Sequence, residues 1–182
     1  MFAFRTSHAP HSHADPAVAL ASGFLGTLAM TSIMYVVPAL GIGQVDLPIW
    51  VARLFVNQAA QAAAIGLALH VLLGSVYALL YAFQIEPRLQ VRPAAGGLIF
   101  GAGLWVFAQA LAVPLLGGWT GPTGALDGPG FLALNLGGSA AAASLAAHLA
   151  YGATVAIAYG CHDGAACRER RPPASSNGRL AA

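Results

Sequence analysis

The chain has 182 residues, of which 58% are hydrophobic before its 22 glycines are counted and only 8% are charged. Soluble domains carry about a quarter charged residues, so this composition excludes a soluble globular enzyme and a disordered chain, and a net charge of +2 excludes a nucleic-acid binder with a basic face. All eight basic residues are arginine and the two cysteines are too few for a disulfide framework, which leaves an integral membrane protein.

A helix crossing about 30 Å of hydrocarbon needs about 20 apolar residues. After a flexible tail over residues 1–16, the first predicted span covers 17–40. Its apolar core exceeds the roughly 7–15 residues of a signal peptide, so it is expected to remain as an anchor. The next stretch, from Asp46 through Pro48, Trp50 and Arg53, is apolar apart from its two charges. A single helix from Pro48 to Phe83 would be about 54 Å long, so residues 48–57 are read as a short interfacial or re-entrant helix. The second span is predicted over 59–83, ending at Glu86-Pro87-Arg88. The third covers 94–116, and the fourth 138–160 after an Asp127-Gly128-Pro129 turn. Residues 161–182 carry the Pro, Ser, Asn and Gly of a disordered tail. None of the spans contains Asp, Glu or Arg, and none alternates polar with apolar residues as a transmembrane strand would. The expectation is an all-α bundle of four transmembrane helices over 17–160.

Orientation follows from the arginines. Arg5, Arg88, Arg92, Arg168, Arg170, Arg171 and Arg179 fall on one side of the predicted membrane and Arg53 alone on the other. The positive-inside rule then puts both termini in the cytoplasm, with Trp50 and Trp119 as interfacial anchors on the outer face.

The two halves, about 17–84 and 94–160, resemble each other. At an offset of 78 residues, Asn57, His70, Gly74 and Tyr81 fall on Asn135, His148, Gly152 and Tyr159. With a small drift in register, Ser22-x-x-x-Gly26 parallels Gly97-x-x-x-Gly101, Val37-Pro38 parallels Val113-Pro114, and Asp46-x-Pro48 parallels Asp127-x-Pro129. Two spans per half make this the parallel kind of repeat, related by an axis along the membrane normal. His70 and His148 then lie at matching depths near the midplane.

An ionisable group at that depth is costly and carries a functional hypothesis. Three readings stand beside one another. The histidines can act as interhelical hydrogen-bonding glue; they can hold a ligand, an ion or a relayed proton; or, one from each helix, they can be the axial ligands of a b-type haem. Asn57 and Asn135, with Gln58, Gln61 and Gln109, are candidates for a shallow polar vestibule, and Tyr81 and Tyr159 for a relay. Ser22, Gly26, Gly74, Gly97, Gly101 and Gly152 are the expected packing positions. Asp46 and Asp127 precede prolines as turn or cap residues. His8, His11 and His13 share the tail side with Cys161, His162 and Cys167, residue types that suit zinc or copper, though their spacing matches no standard module. Paired catalytic carboxylates, a phosphate loop and a nucleophile elbow are all missing from the sequence.

The stretch Gly23-x-x-Gly26-Thr27 with Met30, the turn Gly41-x-Gly43-x-x-Asp46-x-Pro48, and His70-x-x-x-Gly74-x-x-Tyr77 resemble the YagU-like bacterial inner-membrane proteins, as does His148-x-x-Tyr151-Gly152 in the second half. The second half departs by lacking the Gly-x-Gly before Asp127. The resemblance covers about 17–160, implies a four-span fold and an inner-membrane location, and brings no catalytic residue. The leading functional expectation is a non-enzymatic membrane subunit that associates with itself or with a larger membrane complex, without a cofactor. Permeation of a solute or proton past His70 and His148 is the alternative, and a bis-histidine haem carrier a second one.

Overall fold

The computed structural model describes residues 14–42, 46–89, 91–118 and 128–162, and every regular element among them is helical. The elements are α1 (Pro16–Ala39), α2 (Leu47–Arg53), α3 (Ala59–Leu80) continuing into a π turn (Tyr81–Ile85), α4 (Pro93–Val106), a second π turn (Phe107–Ala112) leading into α5 (Val113–Gly117), a 3-10 segment (Phe131–Leu136) and α6 (Gly138–His162). Four continuous helical stretches are long and apolar enough to cross a membrane: Pro16–Ala39, Ala59–Ile85, Pro93–Gly117 and Gly138–Gly160.

Local chemistry sets the ends. The Asp15 carboxylate accepts from the backbone N–H of Ala17 at 2.8 Å and of Val18, with Pro16 in the first turn, so the acid closest to the tail caps α1. Gly41, at φ +73, turns the chain out of α1 in a conformation that favours glycine. Each π turn holds the residue four before a proline: Phe83 precedes Pro87 and Ala110 precedes Pro114. Proline has no N–H for that carbonyl, and the wider turn shifts the bonding, as in the 2.8 Å bond from Glu86 N–H to the Tyr81 carbonyl.

The bundle is organised around α6, which packs along both α1 and α4, while α1 also packs along α3. No comparable packing joins α3 to α4. Glycines make these crossings, because only a missing Cβ lets two backbones approach so closely. Gly97 lies on the Gly152 carbonyl and Ala156, Gly101 on the His148 carbonyl, and Gly152 returns onto Gly97. On the other side of the bundle Gly23 lies on Gly74, Ser75 and Ala78, and Gly74 faces Thr27. The sequence pattern pairs Ser22 with Gly26, yet these two serve different purposes. Ser22 is buried and donates to its own Ala19 carbonyl at 2.8 Å, while Gly26 meets Tyr151 and Val155 of α6. The stripe towards α3 is Gly23-x-x-x-Thr27, because α1 has partners on two sides and adjacent positions face different ones.

Residues 48–57 contain a shorter helix than expected. It ends at Arg53, and the chain turns at Leu54 and Phe55 before reversing into α3. The Pro48 carbonyl seats on Gly66, about 10 Å along α3 from its first residue. Trp50 does not stand apart as an anchor; its indole packs against Gly117 and Gly128 and ties the first half to the second. Before α6, Leu132 (φ 54) and Ala133 (φ 59) are left-handed, a conformation that costs roughly 1–2 kcal/mol per non-glycine residue. Asn135 holds that turn, its backbone N–H donating to Pro129 O at 3.1 Å and its amide to Gly128 O at 3.2 Å.

Adding one methyl at the α4–α6 crossing tests the packing. Gly152→Ala is expected to cost about 1–3 kcal/mol by overpacking, whereas Gly103→Ala, with nothing within 4 Å of the new carbon, should leave stability unchanged or slightly raised; reversible unfolding in mixed micelles reads both.

Candidate functional site

His70 lies about 16 Å along α3 and His148 about 15 Å along α6, counted from their first residues at 1.5 Å per residue. Both line one cavity of about 190 Å³ that α1, α2, α3, the third span and α6 enclose together. The remaining wall is almost entirely apolar, with Met30, Met34, Leu104 and Val113 among its residues. Leu73 of α3 and Phe107 of the second π turn, 48% and 46% exposed, form a rim where α3 and α4 fail to pack. Towards the end that carries the termini lies a cluster of tilted aromatic rings, of which Tyr151 lines the cavity. Tyr81 and Phe100 have centroids 5.1 Å apart, Phe100 and Tyr151 6.3 Å, and the Tyr151 hydroxyl donates to the Gly74 carbonyl.

The second π turn shapes this wall directly. Phe107, Ala108 and Ala112 face the cavity, and the same turn directs Gln109, fully buried, at α6. Its amide donates to the Ser144 hydroxyl at 2.9 Å, and the Ser144 carbonyl accepts from His148 Nδ1 at 2.8 Å. A carbonyl oxygen can only accept, so Nδ1 carries a proton, and in a neutral imidazole Nε2 is left as an acceptor. Gln109 Oε1 and His70 Nε2 are enclosed without a hydrogen-bond partner among the described residues. His70 also borders a second cavity, of about 140 Å³, which reaches Thr31, Tyr35 and Asp46.

The two histidines thus line one space; Gly74 lines it with them, while Gly152 packs against α4 outside it. The other expected residues are not gathered there. Asn57 is exposed at the start of α3, and Asn135 is exposed and engaged with its own turn. Tyr81 belongs to the aromatic cluster, and Tyr159 is buried with Ala19 and Ala82. Gln109 does not join a vestibule with Asn57 and Asn135, because the π turn points it inward. The link from Gln109 to Ser144 is what sequence reasoning missed; an amide and a hydroxyl in two apolar spans were its only signal. Asp46 precedes α2 but its side chain makes no cap hydrogen bond. Among the described residues no three His, Cys, Asp or Glu side chains cluster as metal ligands. His8, His11, His13 and Cys167 lie outside the described residues, as do Trp119, Asp127 and the 163–182 tail; Cys161 and His162 end α6.

Interhelical hydrogen bonds in membranes contribute about 0.6 kcal/mol on average and up to roughly 1.7. Ser144→Ala should cost that much by leaving the Gln109 amide unpaired. In the Ser144→Ala/Gln109→Leu double variant the loss should be smaller than the sum of the singles, which a double-mutant unfolding cycle measures.

No curated protein and no solved structure matches the chain. A family described as one of unknown function, DUF6789, matches residues 13–169, and this match does not establish the YagU-like assignment. That stretch takes in all four candidate spans and both histidines, so the chain belongs to the DUF6789 family of unknown function.

Proposed function

We propose that this chain is a non-enzymatic subunit of the bacterial inner membrane, with both termini in the cytoplasm, whose working site is a small-molecule binding cavity shared by His70 and His148. The observation that carries this reading is that histidines from two different helices line one apolar cavity at mid-helix height. Polar groups at that depth are costly and mark sites in membrane proteins, and π turns are frequent at functional sites.

The parallel repeat is part of the proposal. Gly23 over Gly74 and Ala78 has its counterpart in Gly97 over Gly152 and Ala156, which supports two related helix pairs. The pairs then join unevenly, since α6 also packs along α1 while α3 has no comparable packing along α4. That unevenness opens the cavity. The seating of Pro48 on Gly66 supports a re-entrant rather than a purely interfacial α2. Self-association or membership of a larger membrane complex has to use other surfaces than the small-residue stripes, because those are spent on packing within the chain.

The size of the cavity bears on the alternatives. An apolar cavity of about 150 Å³ accepts benzene, so one of about 190 Å³ suits a single substituted ring better than a porphyrin. A Soret band from haem-replete cells, lost in His148→Ala, would reverse that preference. Permeation draws support from the second cavity between His70 and Asp46, but the Tyr81–Phe100–Tyr151 cluster favours a blind pocket over a path.

Photolabelling in lipid nanodiscs with a phenyl diazirine is expected to mark cavity residues such as Leu104 and Ala147, and Ala108→Leu should reduce that labelling severalfold by filling the space. Labelling spread over the lipid-facing surface and indifferent to Ala108→Leu would overturn the reading. Orientation is checked separately: a membrane-impermeant maleimide added to spheroplasts should leave Cys161 and Cys167 unmodified until the membrane is lysed.

A further inference from the structure

Resting on the binding role proposed for the cavity, we infer that its guest is a small neutral molecule bearing a hydroxyl, taken from the lipid phase and held between His148 and His70. The argument is one of matching donors to acceptors. Thr27 donates to the Gly23 carbonyl at 2.8 Å, Tyr151 donates to the Gly74 carbonyl, and the Ser144 hydroxyl receives the Gln109 amide. The polar groups left to recognise a guest are the two imidazoles, the Tyr77 phenol and the proton of the Ser144 hydroxyl, which the bond from Gln109 does not use. His148 commits Nδ1–H to the Ser144 carbonyl, so its Nε2 offers a lone pair and asks for a donor. His70 Nε2 is enclosed and has no hydrogen-bond partner among the described residues.

Guest chemistries separate on these terms. A hydrocarbon leaves both imidazoles unmatched, and an unmatched buried polar group is costly. A ketone or ether can only accept and leaves His148 unmatched. A carboxylate or an ammonium brings a full charge into a space whose lining contains no Asp, Glu or Arg; Asp46 lines the other cavity. A hydroxyl donates to His148 Nε2 and still meets His70 as donor or acceptor, whichever tautomer His70 adopts. The apolar remainder of the guest fits the rest of the wall, where a phenol-sized ring matches the volume. The half-exposed rim of Leu73 and Phe107 opens the space sideways between α3 and α4, the direction from which a lipid-dissolved molecule arrives.

The test is competition against the phenyl diazirine label in nanodiscs, with 4-butylphenol and butylbenzene compared at equal concentration in the membrane. The phenol should displace the label at about three- to tenfold lower concentration, the worth of one neutral hydrogen bond. His148→Leu should bring the phenol to the level of butylbenzene, His148→Gln should restore part of its advantage through the amide oxygen, and Asn57→Ala, at the exposed end of α3, should change nothing. Equal competition by the two compounds in the unmodified protein overturns the hydroxyl assignment and leaves the binding cavity standing. A phenol advantage that persists in His148→Leu overturns it as well. Label that never enters the cavity removes the binding role itself, and this inference with it.

Discussion

The close approach of α6 to α4 is the contact on which the rest of the molecule depends. Gly97 and Gly101 on one helix and Gly152 on the other bring backbone against backbone. In lipid the hydrophobic effect does not hold helices together; dense van der Waals contact does. With α4 locked on one side, α6 has its opposite side free for α1, and Gly26 lets Tyr151 and Val155 fit there. Tyr151 reaches from this position to the Gly74 carbonyl and ties α3 in through a hydrogen bond. One small-residue crossing therefore sets the height and rotation of α6, and with them the place of His148.

The cavity is the complement of that packing. Because α6 packs along both α1 and α4 while α3 packs on α1 and α2 and makes no comparable contact with α4, the bundle closes on three sides and leaves a gap between α3 and the third span. Two prolines add to it. Pro114 deprives the Ala110 carbonyl of its usual partner, and the helix answers with a π turn whose extra residue turns Gln109 inward and sets Phe107 on the rim. The Tyr81 ring, at the start of the turn before Pro87, packs on Phe100 in the aromatic cluster. A backbone accommodation to proline thus supplies part of the wall of the space that the two histidines share.

Much of the fold was legible in the sequence for one reason: a membrane span is a statement about length and composition, and both are local. The four predicted spans match the helices to within about two residues at each end, and the separate short helix after Asp46 was readable from the excess of apolar length. The sequence set His70 and His148 apart as the histidines within the spans, and the structure has both of them lining one cavity. The role of the small residues was readable only in part. Their presence predicted close helix contact, but a stripe does not name its partner, and here the partners are within the chain. Asn57, Asn135 and Gln109 were grouped by their amides, yet one is exposed, one holds a strained turn, and one is buried against Ser144.

By itself, the sequence determined four helices long and apolar enough to cross a membrane, with charge confined to their ends and two histidines inside. Those properties follow from the cost of carrying unpaired polar groups into hydrocarbon, which each segment meets alone. Which helix faces which, which helices the small-residue stripes bring together, and that both histidines line one cavity were decided only by the tertiary structure. They depend on how glycine surfaces and proline-induced turns from distant segments fit together, and no single segment carries that information.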